Sequence, residues 1–127
     1  MNTPEVTPGT PTYDDATLLN SIMNGFVTQN ARDGIELLWA YGSSPSYVEL
    51  VRDHPIGSEN YRDVIAVLSL GELIGTFVKN GVLHRGLVLD LIWMAGLWER
   101  CHVIAEDLRN LRKNPKLFEN FEALTTK

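Results

Sequence analysis

Glu99-Arg100-Cys101-His102 is the one stretch of the chain that sets a glutamate three residues before a histidine, the spacing by which helical di-iron proteins turn two ligands toward one metal. A di-iron centre takes a second such pair and further glutamates, and neither His54 nor His84 has a glutamate at that spacing. On a helix, Glu99, His102, Glu106 and Arg109 share a polar strip opposite Leu97, Cys101, Ala105 and Leu108. That strip reads as a solvated face, and neither a metal nor another cofactor is expected. Cys101 would need an activating base to act as a nucleophile. His102 is its sequence neighbour, but successive helical residues point about 100° apart, so the thiol reads as a small buried hydrophobe.

Asp90 is the more unusual acid, being the only charge between Leu87 and Trp98. A buried carboxylate needs a partner. Arg85 in the preceding turn, or Arg62 on another helix, could supply a structural ion pair; the other reading is an acid with a raised pKa in a pocket beside Trp93 and Trp98. Glu72, next to Gly71 at the margin of an apolar arc, is read in the same two ways. One acid without a neighbouring base or nucleophile specifies no reaction, so no residue is assigned a catalytic role. Trp39, Trp93 and Trp98 at helical spacing read first as core, their indole N–H groups needing only acceptors.

Phosphate chemistry is disfavoured. Arg109, Arg112, Lys113 and Lys116 are the only local basic cluster, and positive charge there complements a helix C-terminus. Gly71-Glu72-Leu73-Ile74-Gly75 lies within a helical pattern and lacks the Lys-Ser/Thr of a phosphate loop. A net charge of -5 argues against nucleic acid and anionic lipid. The longest apolar run, about 12 residues, is short of the roughly 20 that cross a bilayer, so no membrane insertion is expected. The single cysteine calls for no oxidising compartment, and the Thr/Pro-rich start does not look like a secretory leader, which together suggest the cytoplasm.

The elements that must position these residues are all helical. A chain of 127 residues, 44% apolar, suits one domain with one core. Residues 1–13, with Pro4, Pro8 and Pro11, read as a disordered tail, leaving 14–127 as a single all-α domain. Asp14 and Asp15 are expected to cap a first helix reaching Tyr41, with a bend near Gly34 and a stop at Gly42. Ser44-Pro45 opens a short helix through Val51, and Ser58 caps another running from about Glu59 to Lys79 that ends at Asn80-Gly81. Gly71 and Gly75 lie on one arc of it and leave room for another backbone. A long fourth helix, from His84 or Arg85 to about Lys113, carries Leu87, Leu91, Met94, Trp98, Cys101, Ala105 and Leu108 as a heptad seam. Asn114-Pro115 restarts a short helix with Leu117, Phe118, Phe121 and Leu124. The expectation is a four- or five-helix bundle with that long fourth helix at its centre.

The segment from Leu68 to Leu83, then Leu87 to Leu91, Trp98 and Phe118-Glu119-Asn120-Phe121-Glu122, resembles an uncharacterised bacterial family of small helical domains of unknown function. The likeness spans roughly residues 15–124 and implies an all-helical bacterial domain. Members are often tethered to a membrane by a leading hydrophobic helix, where this chain has its Thr/Pro-rich tail.

Between Leu87 and Trp98 apolar groups surround the helix, and a helix apolar on every side must itself be surrounded. If Leu87, Leu91, Met94 and Trp98 face the chain's own core, either Leu89 and Trp93 or Val88 and Ile92 remain for a second copy. The preferred function is therefore a non-enzymatic interaction module forming a homodimer, with another protein as a possible partner. The alternative is a small-molecule-binding bundle or minor enzyme whose pocket includes Asp90, Trp93 or Trp98.

Overall fold

The computed structural model describes residues 9–26 and 29–125, which form seven helices and, among the described residues, no strand. They are α1 (Tyr13–Phe26), α2 (Gln29–Ala40), α3 (Tyr47–Asp53), α4 (Glu59–Lys79), α5 (Arg85–Leu91), α6 (Met94–Leu111) and α7 (Glu119–Ala123). Most of the expected tail, residues 1–8, lies outside the described residues.

Helix α1 starts one residue before the expected cap, because Thr12 and Asp15 form a reciprocal capping box. The Asp15 amide donates to Thr12 Oγ1 at 3.2 Å, and Asp15 Oδ2 accepts from the Thr12 amide at 2.7 Å. The single helix expected up to Tyr41 is two, α1 ending at Phe26 and α2 starting at Gln29. Gly34 serves a different purpose from the expected bend: a Cβ there would collide with the Asp63 carbonyl, so its bare backbone lets α2 cross tightly over α4. Gly42, in the left-handed region at φ 76°, follows the end of α2 as expected.

Helix α3 is capped by Ser46, which accepts from the Glu49 amide at 3.1 Å, and not by Ser44. Ser44 Oγ accepts instead from the Val103 amide, and the Tyr47 amide donates to Asp107 at 2.9 Å, so both groups fasten α3 to α6. Ser58 caps α4 as the sequence indicates, and Gly81 at φ 73° follows its end.

The largest correction concerns the long fourth helix. It is two helices separated at Ile92 and Trp93, where Ile92 is extended (φ −129°, ψ 128°). A continuous helix would turn large apolar groups to every side, more than so small a domain can enclose. With the break, Val88, Ile92, Met94 and Leu97 all become buried. The heptad seam survives only along α6, where Met94, Cys101, Ala105 and Leu108 are buried; Leu91, one seam position earlier, is 60% exposed. The core is built around α4, whose Val64, Val67, Leu68 and Ile74 are buried along with Leu19, Leu38, Leu50, Ile104 and Phe121 from other helices.

Beyond α6, Lys113 (φ 51°) ends the helix in a left-handed turn, its successor Asn114 donating to the Arg109 carbonyl at 2.9 Å. Pro115 does not restart a helix at once. The chain turns through Phe118 (φ 61°) before α7 begins.

Candidate interaction surface

The α5–α6 break decides which side of the apolar run is free. Val88 and Ile92 point into the chain's own core, while Trp93 is 69% exposed and Leu89 37% exposed. Sitting at the N-cap position of α6, Trp93 lays its indole over Gly96, where a Cβ would strike the ring. The indole meets Trp39 of α2 with ring centroids 6.4 Å apart and planes tilted by 59°. Arg100, one turn further along α6, sets its guanidinium 4.8 Å from the Trp39 ring and donates to the Trp39 carbonyl at 3.4 Å. Arginine, being planar and weakly hydrated, suits such stacking. Leu91 and Leu97 then join Met23 and Ile35 around a groove of about 240 Å³ beside the two tryptophans.

Of Asp90, Glu72 and Trp98, each weighed for a pocket from the sequence, the last two meet at Phe121. Asp90 is exposed on α5, which removes the expectation of a buried acid. Glu72 and Trp98 meet opposite parts of Phe121. Glu72 Oε1 accepts from the amides of Asn120 (2.8 Å) and Phe121 (3.0 Å), satisfying the first free N–H groups of α7 from another helix. Trp98 packs edge-to-face on the Phe121 ring with centroids 5.1 Å apart. Gly71 and Gly75 provide the close approach the sequence suggested, because Cβ atoms there would strike the Phe121 ring and the Asn120 carbonyl. Asn120 also donates to Thr76 Oγ1 at 3.2 Å. Arg109, expected only to complement the end of its helix, binds the same corner: it pairs with Glu122 at 2.9 Å, donates to the Leu117 carbonyl at 2.6 Å and lies 5.6 Å from the Trp98 ring. This corner is a docking joint for α7, with its polar groups spent on one another.

The residues first weighed for chemistry lie in contrasting surroundings. Burial pushes the Cys101 thiol up to about 12, far from a thiolate at neutral pH. His102 Nδ1 is 3.6 Å from Glu106 on the polar strip of α6, and Glu99 is exposed. Among the described residues no three His, Cys, Asp or Glu side chains gather as metal ligands.

Two polar clusters went unread in the sequence. Tyr41 donates to Asp53 at 2.8 Å, and Arg52 reaches the other oxygen of that carboxylate at 3.2 Å. Burial and then the bond to Asp53 push Tyr41 up to about 12, so it stays protonated and offers no base. Burial also raises the carboxyl of Asp63 above its ordinary value, with further contributions from the charges of Asp33 and Glu59. Tyr41, in the turn after α2, meets Asp53 of α3, and Asp33 of α2 acts on Asp63 of α4, so no local spacing announces either cluster.

The joint between the Gly71–Thr76 segment and the Phe118–Glu122 segment brings together two of the stretches that carry the likeness to that helical family. The chain belongs to the DUF4760 family, a domain of unknown function. The family model matches residues 18–127, so the match takes in α2 to α7 and most of α1. No curated protein and no solved structure matches the chain. Among the described residues of this family member, no helix is long and apolar enough to cross a membrane.

Proposed function

We propose that the protein is a non-enzymatic interaction module that associates with a second copy of itself through the Leu89, Leu91 and Trp93 shoulder. The observation that carries the proposal is Trp93: a large aromatic ring 69% exposed, fixed over Gly96 and beside a groove that it helps to form. A projecting ring next to a hollow on the same face is self-complementary about a two-fold axis, the geometry of isologous dimers. Tryptophan and arginine are also the residue types that most often dominate interface energetics. Val88 and Ile92, the other side weighed from the sequence, are buried within the chain and are no longer offered as contacts. A bacterial origin and a cytoplasmic location belong to the same reading.

Sedimentation across a wide concentration range tests it. Association should be reversible and strengthen with added salt, since two chains of charge -5 repel one another. Trp93→Ala should weaken it at least tenfold with helicity unchanged. A single-chain mass at high concentration would defeat the self-association reading. It would favour the second one, in which the 240 Å³ groove takes a small apolar ligand.

A further inference from the structure

His84 is an unusual helix cap. Serine, threonine, aspartate and asparagine ordinarily occupy this position, but here the ring nitrogen Nδ1 accepts from the Leu87 amide at 3.1 Å at the start of α5. An accepting Nδ1 carries no proton, so the neutral ring holds its proton on Nε2. Nε2 in turn donates to the carbonyl of Gly9, in the segment leading into α1. The ring lies against the first turn of α5 at Gly86, where a Cβ would come within 2.9 Å of Cε1 and 3.3 Å of Nδ1.

The backbone of His84 is fixed independently. Its amide donates to Asp15 Oδ1 at 3.0 Å, and Asp15 also closes the Thr12 capping box. Among the described residues, charge reaches this junction from Asp15 of α1 and Arg85 of α5, whose guanidinium donates to the Leu124 carbonyl after α7. From α4 the Phe77 carbonyl accepts from the Val82 and Leu83 amides in the turn that leads to His84. The Asp15 carboxyl is held below its ordinary value, chiefly by the Thr12 amide, so it remains an anion while imidazoles titrate.

We infer that His84 is a proton-operated latch, its neutral ring capping α5 while it holds the Gly9–Thr12 segment, and its protonated ring unable to do both. A proton on Nδ1 sets two N–H groups against each other where one bond stood. The ring then has to turn out of the cap. Nε2–H remains a donor, so the Gly9 contact survives only where the segment moves with the ring, whereas the Asp15 bond to the His84 backbone stays.

Amide exchange and imidazole nitrogen spectra of the full chain test the latch, recorded at dilution so that the outcome is separate from self-association. At neutral pH the ring should carry its proton on Nε2. Once the nitrogen spectra show both ring nitrogens protonated, the protection factor of the Leu87 amide, corrected for intrinsic exchange, should be lower by roughly fivefold, the loss of one cap. His84→Ser, a cap without a titrating group, should retain the protection across the same change in pH. A proton on Nδ1 at neutral pH, Leu87 protection unchanged while His84 titrates, or an equal acid loss in His84→Ser would each overturn the proposal.

Discussion

Glu72 shows how far a side chain's role depends on what comes to meet it. Alone on α4 it is a half-exposed acid; with α7 in place it accepts two amides that would otherwise be unpaired. Hydrogen bonds to a charged group contribute about 1.5–3 kcal/mol, so Glu72→Ala should lower stability by that order. Glu72→Gln, which retains an acceptor, should lose less. Thermal melts followed by far-UV circular dichroism and by tryptophan fluorescence check this, because Trp98 rests on Phe121 and reports the joint directly. Cys101 offers a simpler expectation: the native thiol should resist a thiol-directed reagent at pH 8 and react fully once the chain is unfolded, as a group pushed up to about 12 by burial requires. Asp63 should shape the stability profile in the opposite sense to a salt-bridged acid. Its folded pKa lies above the ordinary 3.8, so the folded state holds the proton more tightly than the unfolded chain. Its contribution is present in full below the unfolded value and is lost as pH rises through the folded one. Asp63→Asn should therefore flatten the decline in melting temperature above pH 4.

At the scale of elements, the absence of side chains matters as much as their presence. Gly34 and Gly71/Gly75 are the points at which α2 and α7 touch the backbone of α4 or lie over it. A methyl group at Gly71 would displace the Phe121 ring, and overpacking of this kind costs about 1–3 kcal/mol. Gly71→Ala and Gly75→Ala should each lower the melting temperature by several degrees, with Gly75→Ala the more severe, because a backbone carbonyl yields less than a side chain. Lys113 presents the converse case. It occupies left-handed backbone at φ 51° with a side chain attached, and Lys113→Gly should be neutral or stabilising by up to about 1 kcal/mol. Denaturant melts of the three variants read both effects.

For the molecule as a whole, α4 is the spine: α2, α6 and α7 pack on it, α3 joins through α6, and α1 joins through α2 and carries α5. The N-terminal end is more closely tied to the fold than a Thr/Pro-rich tail suggests, since Thr12 completes the α1 cap and Gly9 reaches His84. Deleting residues 1–12 should therefore lower stability by about 1 kcal/mol, the worth of a helix cap, in a urea melt. The exposed Trp93 shoulder and the buried Val88 and Ile92 lie on the two sides of one short segment, so the same break shapes the core and the surface proposed for self-association.

What the sequence determined by itself is largely local. Helical periodicity, the Ser58 cap, the Gly42 and Gly81 stops and the small-residue arc at Gly71 and Gly75 all follow from short-range spacing, because each depends on backbone sterics or on neighbours within a turn or two. Tertiary structure decided the rest. A continuous helix from Arg85 to Lys113 satisfies every local rule, and only the need to bury Val88, Ile92, Met94 and Leu97 in one core breaks it at Ile92. The same long-range packing exposed Asp90, gave Glu72 to α7 and seated Arg100 on Trp39. The last two outcomes join residues far apart in the chain, and periodicity within one helix carries no information about which partner its face will meet.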